Sequence, residues 1–200
     1  VKFYVTDDAD GRTQLERYTR GLECEYTTRT LVDNDWAYSW QKYYKPLSIG
    51  ERLYVVPQWE REEPVPQGRV PFYLNPGLTF GTGSHASTQL CLEGVEAHTR
   101  QGDRVLDLGC GNGNLIRMLG EVKQVSCWGA DLSPQMIREA GKNLGDGVNL
   151  AVADAASLPY GDGQFDIVIC NASFHHYTEP ERAVEEIRRV LRTGGTLILG

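Results

Sequence analysis

The chain has 200 residues, 40% hydrophobic and 24% charged, which excludes a disordered or fibrous class and leaves room for one full α/β domain plus a small appendage. Twenty Lys and Arg against 27 Asp and Glu give a formal charge of -7. That balance argues against a nucleic-acid backbone as the main partner and suits a basic protein, a neutral small molecule or solubility alone.

Phe3-Tyr4-Val5 is aromatic and β-branched and reads as a strand, ended by polar Thr6 to Asp10 and by Gly11. A helix is predicted over Gln14 to Arg20 and a Thr-rich strand over Glu25 to Val32. The helix predicted from Asn34 to Tyr44 carries Trp36, Trp40 and Tyr44 at four-residue spacing, hence on one face, and Pro46 stops it. That stripe reads as packing on its own domain rather than as a docking surface. Arg52 to Val56 and Phe72 to Leu74 are short strands, separated by a polar, Pro-containing surface connection over 60–68. Asn75-Pro76-Gly77 is a turn, and Ser84 to His98 reads as a helix with Ser84 as its cap.

From Asp103 onward strands and helices alternate. Strands are predicted at Val105–Leu108, Val125–Ala130, Leu150–Ala153, Phe165–Cys170 and Thr196–Leu199. Helices fall at Asn114–Leu119, at Ser133–Leu144 with Ser133 as cap and Pro134 in its first turn, and at Glu179–Leu191, opened by a capping-box spacing from Thr178. Such alternation implies a parallel sheet with helices on its faces. The fold class is therefore α/β, a doubly wound, mostly parallel sheet, with a small α+β region in front of it.

The five cysteines, Cys24, Cys91, Cys110, Cys127 and Cys170, are odd in number, widely spaced and without a C-x-x-C pair. They read as reduced thiols rather than a disulfide framework or a zinc site. No leader and no apolar run of membrane length is read, so a cytoplasmic protein with no membrane partner is expected. Val1 opens directly into a strand-like segment and Gly200 closes directly after another, so both ends read as cut.

The chemistry concentrates in Asp107-Leu108-Gly109-Cys110-Gly111-Asn112-Gly113, at the end of a predicted parallel strand. In open parallel sheets ligands bind beyond the carboxyl ends of the strands. Gly109 and Gly111 allow a tight turn and close approach of a ligand. Asp107 suits a cationic ligand group and repels a pyrophosphate. A dinucleotide fingerprint would need glycine at 114, where Asn114 stands, so a nicotinamide cofactor is the weaker reading. Asp131, about twenty residues on, ends the next strand where a carboxylate can take a ribose diol. Asp154 ends the third strand, where an adenine amino group can be received. Taken singly, each is an ordinary turn or cap aspartate; the ordered set of three is the signal.

Val105 to Gly113, Gly129-Ala130-Asp131-Leu132-Ser133 and Ala153-Asp154-Ala155 together resemble class I S-adenosylmethionine methyltransferases, with a Rossmann-like fold. The resemblance covers residues 103–200. It implies S-adenosylmethionine as cofactor, with Asp107, Gly109 and Gly111 at its methionine part, Asp131 at its ribose, Asp154 with Ala155 at its adenine, and Leu132 and Asn171 also among the cofactor-binding residues. The first half resembles ribosomal protein L11 methyltransferase, on Asp35 to Pro46 followed by Gly50-Glu51-Arg52-Leu53, and on Asn75 to Thr88. That resemblance implies that Phe80, Gly81, Thr82, Gly83 and His85 help enclose the cofactor. After the fourth strand the L11 pattern Asn-Ile-Leu is replaced by Asn171-Ala172-Ser173-Phe174-His175-His176-Tyr177. Asn171 matches that pattern and the rest does not; Phe174 to Pro180, with Arg189 to Gly195, resembles small-molecule methyltransferases of ubiquinone biosynthesis.

These resemblances divide the chain into a partial substrate-recognition region over 1–60, a linker and cofactor-covering loop over 61–83, and a cofactor-binding methyltransferase domain over 84–200, lacking the two strands that usually follow the fifth. The expected reaction is N-methylation of amines on a protein, with ribosomal protein L11 as partner and no direct nucleic-acid contact. The alternatives are a small-molecule methyltransferase and an inactive cofactor-binding fragment. Asn171 is the candidate for orienting an amine and His175 or His176 the candidate base for a hydroxyl acceptor. Adjacent histidines seldom converge on one ion, so no metal is expected.

Overall fold

The computed structural model describes residues 4–21, 27–28, 41, 44–74 and 85–200. The chain divides into two units, Val1–Tyr44 and Lys45–Gly200. The larger unit thus takes in the strands before residue 60 that composition groups with the amino-terminal region. Among the described residues no helix is long and apolar enough to cross a membrane.

In the smaller unit the described element is helix α1, Ala9–Thr19. It begins five residues before the predicted helix because Asp8, read from sequence as part of a strand terminator, caps it. The Asp8 carboxylate accepts from Gly11 N–H at 2.8 Å and from Thr6 Oγ1 at 2.9 Å. Tyr4 and Val5, expected in a strand, lie in no regular element. Most of the predicted strand over Glu25 to Val32, and Trp36 and Trp40 of the predicted aromatic helix, fall outside the described residues; Thr27 and Thr28, which are described, lie in no regular element.

The larger unit opens with a three-stranded sheet: β1 Leu47–Ile49, β2 Leu53–Pro57 and β3 Val70–Leu74. β1 runs antiparallel and β3 parallel to β2. β1 has no counterpart among the predicted elements; three residues are too short to show a period. Its turn is fixed by Arg69, whose guanidinium donates to the carbonyls of Leu53 at 2.9 Å, Gly50 at 3.0 Å and Ile49 at 3.3 Å.

Helix α2, Ala86–His98, leads into the second sheet. The strands are β4 Arg104–Leu108, β5 Ser126–Asp131, β6 Asn149–Val152, β7 Phe165–Cys170 and β8 Leu191–Leu199. All pairings are parallel, in the order β6-β5-β4-β7-β8. The helices α3 Asn114–Val122, α4 Pro134–Leu144 and α5 Pro180–Val190 connect them. Ser133 caps α4, accepting from Met136 N–H at 3.3 Å, with Pro134 in the first turn, as the sequence predicts. The capping box expected at Thr178 does not form: Glu179 is the N-cap of α5 and makes no side-chain cap bond. β8 starts at Leu191, five residues before the predicted strand, with a register shift opposite Phe165 and Ile167.

Two apolar cores sandwich this sheet. Val105, Ile167 and Ile169 face Leu92 and Val95 of α2, Met118 and Leu119 of α3, and Leu53, Val55 and Phe72 of the small sheet. Leu106, Leu108 and Val168 face Ala183, Ile187 and Val190 of α5. Strand order reverses between β4 and β7, the switch point beyond whose carboxyl ends open parallel sheets place their ligand crevice.

Candidate active site

The strand register brings Asp107, Asp131 and Asp154 to the carboxyl ends of three neighbouring strands. Asp107 pairs with Gly129 and Asp131 pairs with Val152, two residues before Asp154. Their environments differ. Asp131 is half-buried and holds the loops beside it: Oδ2 accepts from Gly111 N–H at 2.9 Å and Oδ1 from Ser133 N–H at 2.8 Å. Asp154 is exposed and holds its own turn, with Oδ1 accepting from Ala156 N–H at 2.9 Å. Asp107 is 3% exposed, and among the described residues no donor reaches its carboxylate. Burial, and then the charge of Asp131, push its carboxyl up to about 7 from the usual 3.8.

The two glycines expected to admit a ligand do different things. Gly111 has φ 53° and, among the described residues, nothing within 4 Å of where a Cβ would stand, so that side is open to a ligand. Gly109, at φ 79°, is packed by the protein: a Cβ there would lie 2.3 Å from Ser173 Cβ and 2.5 Å from its Oγ. Its missing side chain makes room for the loop after β7. Gly113 supplies the left-handed N-cap of α3 and abuts Leu144.

Leu132 is 69% exposed beside Asp131, and Ala155 is buried beside Asp154. The turn holding Ala155 is clamped from α5. Leu158 N–H donates to Glu186 Oε2 at 2.7 Å, and Arg189 donates to Leu158 O at 3.1 Å, Tyr160 O at 2.7 Å and Asp162 Oδ1 at 2.9 Å. The Arg189 guanidinium holds the Glu186 carboxyl down at about 2.

On the other side of the crevice, Asn171 is half-buried and its Oδ1 is buried without a hydrogen-bond partner among the described residues. It lies near the start of α2, since a Cβ on Gly200 would be 3.1 Å from both Asn171 Oδ1 and Ser87 O. Ala172 follows in the left-handed region at φ 52°, a conformation that costs a non-glycine residue roughly 1–2 kcal/mol. His175 and His176 are exposed, with ring centroids 3.9 Å apart. His85 is the N-cap of α2, in the position expected one residue earlier for Ser84. Its Nδ1 accepts from Ser87 N–H at 3.3 Å and lies 2.8 Å from Ser87 Oγ. Ser84, Phe80, Gly81, Thr82 and Gly83 fall outside the described residues.

Ser173 and Tyr177 were not singled out by the sequence. Ser173 Oγ donates to the Leu108 carbonyl at 2.9 Å, and Tyr177 OH reaches the same oxygen at 3.3 Å. Cys170 Sγ lies 3.1 Å from Ser173 Oγ and 3.2 Å from Tyr177 OH, and burial raises its thiol. The one sequence signal was two hydroxyl residues four apart, directly after a strand.

The family model for ribosomal protein L11 methyltransferase matches residues 3–200, running through both halves of the chain. An L11 methyltransferase from Exiguobacterium sp. is 34% identical over 86% of this chain and 59% of its own length. One from Paraburkholderia xenovorans is 37% identical over 76% of this chain and 50% of its own. The chain spans less than two thirds of the length of these curated relatives. Among solved structures, the ribosomal protein L11 methylase of Lactobacillus delbrueckii subsp. bulgaricus aligns over 78% of this chain and 79% of its own, with TM-score 0.61 and 25% identity. The YcgJ protein of Bacillus subtilis aligns over 55% of this chain and 49% of its own, with TM-score 0.50 and 32% identity. With its parallel sheet, its glycine loop and its row of strand-end carboxylates, the chain belongs to the ribosomal protein L11 methyltransferase family.

Proposed function

We propose that this chain binds S-adenosylmethionine in the β4–β5–β6 crevice and N-methylates amine groups of a protein, with ribosomal protein L11 as the target. The observation that carries the reading is the row of three acidic strand ends beside a glycine, Gly111, whose open side is unfilled.

The residues present fit that cofactor. Asp107 is a buried carboxylate that no described donor satisfies, a natural seat for the ammonium of a methionine moiety. Each Asp131 oxygen accepts one backbone N–H and keeps lone-pair capacity for a ribose hydroxyl. Asp154 Oδ2 is left to receive an adenine amino group, with exposed Leu132 and buried Ala155 as apolar walls. Residues 80–83 and His85 serve as the cover. In this reading the region before residue 60 recognises substrate.

When bound, S-adenosylmethionine supplies a methyl group on a sulfonium, open to in-line attack by a lone pair. The protein's task is then orientation and desolvation. A lysine acceptor must arrive neutral, at a cost of roughly 4–5 kcal/mol at pH 7 from its reference pKa near 10.4. A half-buried pocket lowers that cost, and the unpartnered Asn171 Oδ1 accepts an N–H of the amine and directs its lone pair. A second reading, a small-molecule hydroxyl acceptor with His175 as base, draws on the exposure of His175 on the loop after β7.

Titration calorimetry with S-adenosylmethionine tests the site. Asp131→Ala is expected to weaken binding about tenfold or more, the scale of a lost charge-assisted hydrogen bond. Labelled methyl transfer onto purified L11, set against a metabolite extract, separates the two substrate readings. Binding without transfer to either favours an inactive cofactor-binding fragment.

A further inference from the structure

β4 and β7 pair only through Val105–Ile167, Leu106–Val168 and Asp107–Ile169, and then part. Leu108, the last residue of β4, pairs with Ala130 of β5 but has no register partner on β7. A buried carbonyl needs donors. Ser173 Oγ and Tyr177 OH supply them, one hydrogen from each hydroxyl for the two lone pairs of one oxygen. The Cys170 thiol lies within reach of both hydroxyl oxygens and closes the ring from behind. Gly109 leaves the space in which Ser173 sits. On its other flank the same loop is tied to the end of β8, where Ala172 N–H donates to Gly200 O at 3.1 Å and Gly200 N–H donates to Cys170 O at 3.0 Å. Between the two anchors Ala172 is held left-handed, and Asn171 is held with its buried amide oxygen unpartnered among the described residues.

We propose that Ser173 and Tyr177 are positioning residues that latch the loop after β7 to the glycine loop after β4, fixing the spacing between the acceptor-orienting Asn171 and the methyl-donor side of the crevice. The role rests on the methyltransferase reading above. Such a latch acts on the geometry of transfer more than on cofactor affinity, because Asp107, Gly111, Asp131 and Asp154 all lie outside the bonded ring. A displacement of about 1 Å between reacting groups is enough to slow a reaction roughly a hundredfold.

The test uses the full chain and the double variant Ser173→Ala/Tyr177→Phe. With S-adenosylmethionine in the calorimeter the variant is expected to keep the parent's stoichiometry and a Kd within about threefold of it, while kcat for transfer to L11 falls about 10–100-fold at little changed KM. In ligand-free protein the amides of Ala172, His176 and Tyr177 are expected to exchange about tenfold faster or more. Ser173→Thr, which keeps the hydroxyl, is expected to restore most of both. Parent-like exchange and kcat in the double variant overturn the latch. So does a fall in kcat that only tracks a fall in binding stoichiometry, the mark of a merely structural role. A parent chain that gives no binding heat with S-adenosylmethionine overturns the underlying reading, and the positioning role with it, whereas unchanged exchange overturns the latch alone.

Discussion

The two flanks of the crevice are built on opposite terms. On the β5–β6 flank, Asp131 and Asp154 use part of their hydrogen-bonding capacity to hold the loops that carry them. On the β4–β7 flank, Asp107 and Asn171 are buried with acceptors that no described donor satisfies, and the loops are held by Ser173 and Tyr177 instead. Buried polar atoms left unpaired weaken a fold by about 1–3 kcal/mol each. In the proposed reading, the acceptors left open by Asp107 and Asn171 are the ones a ligand completes, and the other flank is the frame that receives it.

The sharpest way to break this contrast is to place the same methyl group on each glycine. Gly109→Ala drives a Cβ into Ser173 at a positive φ, so roughly 3 kcal/mol of stability and about a hundredfold in S-adenosylmethionine affinity are expected to be lost, read by melting and calorimetry. Gly111→Ala meets nothing in the ligand-free protein and is expected to lose only the 1–2 kcal/mol or so of backbone strain while still weakening binding. Equal melting losses for the two variants would remove the distinction between packed and open glycine.

Asp107 gives the next largest effect, and its sign depends on pH. Its folded pKa, about 7, lies above the unfolded 3.8, so the folded chain holds the extra proton between those values. The stability this group contributes is full below about pH 4 and is lost as pH rises to 7. Asp107→Asn is therefore expected to stabilise the ligand-free protein by roughly 1–3 kcal/mol at pH 8 and to change it little at pH 4, measured by denaturant titration. The same variant is expected to bind S-adenosylmethionine more weakly. Its affinity should also lose the rise with pH through 7 that a cation-seating carboxylate gives the parent. A destabilised variant at pH 8 would mean that the carboxylate already has a partner.

The smallest effect lies behind the frame. The Tyr160 hydroxyl is buried without a hydrogen-bond partner among the described residues, while its ring packs edge-on to Phe165 at 5.0 Å. Tyr160→Phe keeps the ring and removes the orphan, so a gain of about 1 kcal/mol with unchanged S-adenosylmethionine affinity is expected from melting and calorimetry. Lost affinity would move Tyr160 from the frame to the site.

Legibility in the sequence follows the same line. The alternation from β4 to β8 could be read because strand and helix periods differ and because Ser133-Pro134 and the glycines punctuate it. The three carboxylates could be read because each lies within two residues of a strand's carboxyl end. β1 could not, since three residues carry no period. Nor could the start of α1, where Asp8 serves equally as a turn residue and as a cap until Gly11 N–H is seen to reach it. His85, expected to help enclose the cofactor, also caps helix α2, a place that the sequence hides because histidine seldom fills it. Ser173 and Tyr177 escaped for a deeper reason: their partner is a backbone carbonyl 65 and 69 residues away, and backbone atoms leave no trace in a residue pattern.

That separation also sets an order of assembly. The glycine loop can take its turn as soon as β4 and β5 meet, but the Leu108 oxygen waits for a segment lying beyond β6 and β7. Contacts so distant along the chain close late. The Leu108 oxygen thus stays without its side-chain donors until the loop after β7 is in place, and a nascent chain stalled before that loop carries its row of acidic residues without the Ser173 and Tyr177 tether.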